Sequence, residues 1–167
     1  MAKEKKDNPN KVTTIMSSIV CLLLIIIPMP EFLNEYKPNW MLLLLIFLAI
    51  NVPKEFNLGT AFFAGLLVDV AKGSLLGQHA LASLIIVFLT TKYHLQIRNV
   101  PQIQLLTTVV ILLVIFQFTL FWINGVSGIS ASFKDYWAPI VGSALIWPIF
   151  SRILSKYFVY TSSKDKI

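Results

Sequence analysis

The chain has 167 residues, of which 56% are hydrophobic and 13% are charged, and its formal net charge is +6. Its charged fraction is far below the ~25% of soluble domains; together with a mean hydropathy of +0.74 and several long apolar runs, this excludes an ordinary soluble domain and predicts a polytopic membrane protein. The single cysteine, Cys21, excludes an intramolecular disulfide and a metal site built on thiolates, and the basic termini lack the interleaved aromatic residues of a nucleic-acid surface.

The first predicted helix covers residues 12–27 and follows a basic cytoplasmic tail, residues 1–11. It ends at Pro28 and Pro30, because proline cannot continue a helix. No small-x-small cleavage site follows the apolar run, so we expect an uncleaved transmembrane helix and not a signal peptide. The next connection ends in Tyr36-Lys37-Pro38-Asn39-Trp40, whose aromatic rings are typical of a membrane interface.

The second and third predicted helices, residues 40–52 and 58–72, are short, and a polar turn at residues 54–57 joins them. A helix of about 13 residues rises only about 20 Å, whereas the hydrocarbon core of a bilayer is about 30 Å thick. Either flanking residues help the second helix to span the membrane or the helix lies partly inside the bundle. A re-entrant hairpin of the two helices is a further alternative.

The third helix places Ala61, Gly65 and Asp69 on one face at i, i+4 and i+8, and a small-xxx-small face lets another helix approach closely. An ionisable residue inside an apolar helix costs about 2.5–3.5 kcal/mol at the bilayer centre, so it is normally kept for a reason. Asp69 can pair with Lys72, or it can accept hydrogen bonds from the turn Gly73-Ser74-Leu75-Leu76-Gly77. The hydrogen-bond role predicts that Asp69→Asn is milder than Asp69→Leu, whereas the ionic role predicts equal harm.

The fourth, fifth and sixth predicted helices cover residues 78–95, 102–123 and 136–157. Pro148 lies inside the sixth helix and predicts a kink near Ala144. Gly142, Ser143 and Ala144 form a second patch of small residues. The membrane domain is thus expected to cover residues 12–160, with a cytoplasmic tail at 161–167.

The Lys and Arg residues predict the topology. Eleven of the fourteen fall in the two tails and in the second and fourth connections, and only Lys37, Lys72 and Lys134 fall in the other connections. Positive charge is enriched on the cytoplasmic side of membrane proteins, so we expect both termini in the cytoplasm.

The sequence predicts no catalytic, cofactor or metal site. Asp69 is the only carboxylate inside a predicted span, whereas an intramembrane aspartyl protease needs two. His79 lies just across the glycine turn, where it can form an acid–base pair with Asp69 or serve as an interfacial hydrogen bonder. Ser74 has no matched base at a recognisable spacing. His79 and His94 are predicted on opposite sides of the membrane, which excludes one shared metal site.

An ordered set of motifs resembles the MreD family of rod shape-determining proteins. The stretch from Gly65 to Leu81 resembles the family's G-x-x-x-D-x-x-x-G-x-x-L-G-x-x-A-L core. The segment with Pro38, Asn39 and Trp40 resembles the start of the family's second helix. Further similar positions are Lys92-Tyr93, Arg98-Asn99 and Trp147-Pro148.

The resemblance implies an all-α bundle of six short transmembrane helices, similar to the substrate-binding subunits of energy-coupling-factor transporters. It implies a noncatalytic inner-membrane subunit that partners MreC, and with it MreB, the RodA glycosyltransferase and the elongation-specific penicillin-binding transpeptidase. A homodimer within the larger complex is left open. The alternative is a vitamin-binding transporter subunit. The structural or partner-binding candidates are Ala61, Gly65, Asp69, Gly73, Gly77, His79, Pro38, Asn39, Trp40, Trp147 and Pro148.

Overall fold

A computed structural model describes residues 9–53, 57–129 and 132–164, and every regular element within these ranges is a helix. The helices are α1 (Pro9–Ile26), α2 (Glu31–Asn34), α3 (Trp40–Asn51), α4 (Leu58–Lys72), α5 (Gln78–Lys92), α6 (His94–Arg98), α7 (Gln102–Val126) and α8 (Phe133–Lys164). Most of the predicted N-terminal tail, part of the turn after the second predicted helix and residues 165–167 of the C-terminal tail lie outside the described residues.

The six longer helices run back and forth between two ends of one bundle. One end, which we call the Asp69 end, contains a cavity. This cavity lies between the C-terminal end of α1, the N-terminal end of α3, the α4–α5 turn, the C-terminal end of α7 and the N-terminal end of α8. The opposite end, which we call the Arg98 end, contains a second cavity. It lies between the C-terminal end of α3, the short helix α6, the N-terminal end of α7 and the later part of α8. The helix α3 reaches from the Asp69 end, where Met41 lines the first cavity, to the Arg98 end, where Ile50 lines the second, and the re-entrant hairpin of the second and third predicted helices stays a prediction.

Several helix bounds differ from the predicted ones. The helix α1 begins at Pro9 and not at residue 12, α7 ends at Val126 and not at residue 123, and the fourth and sixth predicted helices differ more. The fourth predicted helix does not continue to residue 95, because the chain leaves helical geometry at Tyr93 (φ −107°, ψ 12°) and restarts as α6. This turn lets Ile97 pack into the core beside α3. The sixth predicted helix is longer at both ends, and α8 continues through Pro139 and Pro148. The kink near Ala144 stays a prediction.

The short helix α3 forms the centre of the bundle. Every residue from Met41 to Ile50 is buried, with at most 4% of its surface exposed. A helix that is apolar on all sides is expected to be buried among other helices. The helix α3 packs against α1, α4, α5, α6 and α8. Of the two arrangements expected for this short helix, the structure has the one inside the bundle.

The outer surface of the bundle is strongly apolar. Large exposed side chains occur on α1, α4, α7 and α8, for example Ile15, Phe63, Phe118 and Leu145. Such a surface is unusual for a soluble monomer and typical of a membrane or partner contact. By length and composition, α7 and the Lys134–Phe158 part of α8 can cross a membrane, and α3, α5 and most of α1 are shorter apolar helices.

Charge is distributed unequally between the two ends. The described acidic residues all lie at the Asp69 end: Glu31, Glu35, Asp69 and Asp135. The described basic residues of the Arg98 end are Lys11, Lys92, Arg98, Arg152, Lys156 and Lys164. The described Lys and Arg residues of the Asp69 end are fewer, namely Lys37, Lys72 and Lys134, and an excess of Lys and Arg is the pattern of a cytoplasmic membrane face.

Candidate functional site

The face formed by Ala61, Gly65 and Asp69 packs against α5 of the same chain. A Cβ atom built at Gly65 would lie 2.6 Å from the backbone N of Ala80 and 2.8 Å from the carbonyl O of His79. Real Cβ atoms do not approach backbone this closely, so only glycine allows the two helices to pack as they do. The small-residue face is therefore internal, and the helix it admits is α5.

The turn between α4 and α5 depends on two glycines with positive φ. Gly73 ends α4 with φ +62°, and Gly77 begins α5 with φ +98°. The backbone N–H of Ser74 donates to the carbonyl of Asp69 at 3.0 Å, which completes a Schellman-type end to α4. Side chains with a Cβ rarely adopt this left-handed conformation, so the predicted glycine turn has a steric cause.

The carboxylate of Asp69 joins the end of α4 to the start of α5. Its Oδ2 accepts the N–H of Gly77 at 2.8 Å, and its Oδ1 accepts the N–H of His79 at 3.0 Å. Oδ1 also accepts the Ser74 hydroxyl at 3.0 Å. Asp69 is 1% exposed. The first N–H groups of a helix have no intrahelical partner and carry the positive end of its dipole, so a buried carboxylate is stabilised here.

His79 links this carboxylate to Lys72. The Nδ1 atom of His79 lies 2.7 Å from Oδ1 of Asp69, and its Nε2 atom lies 3.4 Å from Nζ of Lys72. With the proton assigned to Nδ1, the imidazole donates to the carboxylate and accepts from the ammonium group. The Asp69–Lys72 pair considered from the sequence is thus bridged through His79, and no direct contact within 4.0 Å joins these two described side chains.

Ser74, His79 and Asp69 do not have the geometry of a hydrolytic triad. In such a triad the serine bonds one imidazole nitrogen and the carboxylate the other. Here Ser74 Oγ lies 3.3 Å from Nδ1, the same nitrogen that faces Asp69, while Nε2 faces Lys72. This arrangement holds the turn together and gives the serine no free base. The described residues contain no cluster of three or more metal-binding side chains.

The segment with Pro38, Asn39 and Trp40 packs on the second small-residue patch, which lies on α8. The backbone N–H of Asn39 donates to Ser143 Oγ at 3.0 Å. A Cβ built at Gly142 would overlap the carbonyl O of Tyr36. This contact places the start of α3 directly against α8.

Two other predicted candidates lie deeper along α8. Trp147 is buried in the core and borders the cavity at the Arg98 end, and Pro148 accepts a hydrogen bond from the Ser151 hydroxyl at 3.3 Å. The eleven predicted candidates therefore divide into a group around Asp69, a group around Asn39 and this pair.

A cavity of about 680 Å³ lies between the Asp69 and Asn39 groups. Its lining includes charged side chains of both signs, Glu35, Lys37, Lys72 and Asp135, together with the imidazole of His79. Gln78 Oε1, Asn124 Oδ1 and Asn39 Nδ2 also line it and have no hydrogen-bond partner within the described residues.

Two features of this end of the bundle were not predicted from the sequence. Lys72 and the turn with Ser74 were expected as alternative partners of Asp69, whereas in the structure Ser74 bonds the carboxylate and Lys72 is linked to it through His79. Gln117 lines the cavity from the middle of α7, and its only signal was its polarity in an apolar run.

Comparison with known proteins gives one consistent result. The family model described as rod shape-determining protein MreD matches residues 8–157. Rod shape-determining protein MreD of Haemophilus influenzae is 30% identical over 141 residues, covering 83% of this chain and 85% of the relative. No solved structure matches. The resemblance to transporter substrate-binding subunits therefore stays a prediction, and neither match supports the vitamin-binding alternative.

Proposed function

This chain belongs to the MreD family of rod shape-determining proteins, and from that membership we propose that it is a noncatalytic subunit of the bacterial rod complex in the inner membrane. It binds the bitopic protein MreC and helps to control lateral-wall peptidoglycan synthesis. Through MreC it is connected with MreB, RodA and the elongation-specific transpeptidase. The family match over residues 8–157 carries the proposal.

The proposed topology has six membrane crossings, with both termini and the Arg98 end in the cytoplasm. Two observations support it: the longer helices alternate between the two ends of the bundle, and more of the described Lys and Arg residues lie at the Arg98 end than at the Asp69 end. The Asp69 end then faces the periplasm, where MreC has its folded domain.

The proposed role of Asp69 is structural. Its two oxygens accept the backbone N–H groups of Gly77 and His79, which fixes the α4–α5 hairpin. A fixed hairpin presents a defined surface at the Asp69 end, and we place the MreC contact on this side of the bundle. The absence of a free base beside Ser74 supports the noncatalytic part of the proposal.

Cell shape tests the proposal directly. The chain is expressed in a rod-shaped bacterium depleted of its own MreD, beside an Asp69→Leu variant produced at the same membrane level. We expect the unchanged chain to restore rod shape, and the variant to restore it less well. As a control, re-expression of the host's own MreD gene must restore rod shape. If the cells then stay round although the unchanged chain is present in the membrane at a normal level, the result would count against the function.

A further inference from the structure

A second cavity of about 420 Å³ opens at the Arg98 end between α3, α6, α7 and α8. Three cationic side chains line it, Arg98, Arg152 and Lys156, and no carboxylate among the described residues does so. These three cations also have no ion-pair partner within 4.0 Å in the described part of the chain. The lining therefore carries three positive charges that no described acidic side chain neutralises.

The backbone holds these cations close together. Arg152 and Lys156 are four residues apart on α8 and so share one face, where two like charges destabilise a helix unless an anion lies between them. Arg98 comes from α6, which is held in place by the buried side chain of Ile97. Residues from the first turn of α7 line the same cavity and add the positive end of that helix dipole.

The rest of the cavity wall is apolar. Phe47, Ile50 and Trp147 form part of it and are buried in the bundle core. On the outer surface of α7 and α8, Ile103 and Ile153 are exposed apolar side chains close in sequence to the lining residues. The site thus combines cations with an apolar wall at the end of a surface suited to lipid.

We propose that this cavity binds the phosphate of an anionic phospholipid from the cytoplasmic leaflet. Arginine matches phosphate oxygens with its planar donor fork, and basic residues near an anionic leaflet are each worth about a fivefold gain in binding. A cavity of this size is in the range of small-molecule sites. The inference rests on the proposed cytoplasmic position of the Arg98 end.

Lipid titration followed by native mass spectrometry tests the assignment. The purified full chain in detergent is titrated with phosphatidylglycerol or with phosphatidylcholine of the same acyl chains. The test variant carries Arg152→Gln and Lys156→Gln. The matched control carries Lys11→Gln and Lys92→Gln, which removes the same charge from the same end but from residues outside the cavity. We expect tighter binding of phosphatidylglycerol by the unchanged chain and the control, and at least a tenfold loss in the test variant.

Three results would overturn the lipid site. The first is no preference for phosphatidylglycerol, and the second is an equal loss in both variants, which would mean a general effect of surface charge. The third is unchanged lipid selectivity in the test variant with a loss of MreC recovery, which would mean that the cavity takes an acidic protein segment.

A competition experiment distinguishes a lipid from a free phosphate compound. Glycerol 1-phosphate at millimolar concentration is added to the lipid-bound protein. We expect the lipid to stay bound, because the apolar wall contributes to its affinity. Complete displacement would assign the site to soluble phosphate compounds and overturn the lipid source. Co-purification of MreC with the unchanged chain is measured in a separate experiment. Failure of the rod-complex proposal can therefore be distinguished from failure of the lipid-site proposal.

Discussion

Oδ1 of Asp69 and Nδ1 of His79 lie 2.7 Å apart, although ten residues and a glycine turn separate them in the chain. The contact is set by the backbone, since the N–H of His79 donates to the same oxygen. The other imidazole nitrogen, Nε2, lies 3.4 Å from Nζ of Lys72. The carboxylate of Asp69 is buried where an unpaired charge would be strongly unfavourable, and the neutral imidazole ring links it to the exposed ammonium group of Lys72.

We predict that both substitutions of Asp69 destabilise the protein, and that Leu is the worse. Asp69→Leu leaves two backbone N–H groups, the Ser74 hydroxyl and the His79 ring without their acceptor, and since a buried donor without a partner costs about 1–3 kcal/mol, we expect a total loss above about 3 kcal/mol. Asp69→Asn replaces one acceptor oxygen by a donor while both oxygens accept N–H groups here, so we expect a loss of about 1.5–3 kcal/mol.

Thermal unfolding of the purified variants in detergent measures both effects. Asp135→Asn is the control, because Asp135 is an exposed carboxylate of the same end that accepts only the Ser132 N–H among the described contacts. Melting temperatures of both Asp69 variants equal to that of the control would show that the carboxylate does not stabilise the hairpin.

A methyl group at Gly65 is predicted to separate α4 from α5. Gly65→Ala places a Cβ against the backbone of Ala80, and overpacking of this kind costs about 1–3 kcal/mol. Gly59→Ala on the same helix is the matched control, because a Cβ there meets nothing within 4 Å. We expect a lower melting temperature for the first variant and an unchanged or higher one for the second. Equal melting temperatures would contradict the close approach of the helices.

The contact between α8 and the segment before α3 gives a parallel prediction. Gly142→Ala directs a methyl group into the carbonyl O of Tyr36 and should reduce the free energy of unfolding by about 1–3 kcal/mol. Gly125→Ala near the end of α7 meets nothing within 4 Å and serves as control. A Gly142→Ala variant as stable as the control would mean that this segment does not lie against α8.

Cysteine labelling tests the topology. In a Cys21→Ala background, a cysteine at Ser127 is expected to react with an impermeant maleimide added outside intact cells, because Ser127 lies at the Asp69 end. A cysteine at Asn99, at the other end, should react only after the membrane is opened. Both replaced side chains are exposed, so burial does not explain a difference. Labelling of position 99 from outside would reverse the proposed orientation.

Local features of the fold were predictable from sequence because they depend on neighbouring residues. The bounds of α4, the glycine turn after it and the buried carboxylate of Asp69 all lie in one continuous stretch. The turn requires left-handed backbone at Gly73 and Gly77, and glycine is the residue that adopts it.

Other features depend on contacts that sequence patterns do not encode. The Asn39–Ser143 hydrogen bond joins residues 104 positions apart. The central position of α3 was one of two expected arrangements, because leucine-rich helices have the same composition whether they face lipid or other helices. The bridging role of His79 between Asp69 and Lys72 depends on ring orientation, which only coordinates provide.

The most direct measurement is recovery of MreC with this chain. The affinity-tagged chain is co-expressed with MreC, extracted in mild detergent and purified, and MreC is quantified beside the Asp69→Leu and Asp135→Asn variants at equal amounts of folded protein. The account predicts that MreC co-purifies with the unchanged chain and with Asp135→Asn, and that its recovery falls with Asp69→Leu. Recovery of MreC by the unchanged chain at the level of an unrelated tagged membrane protein would contradict the account.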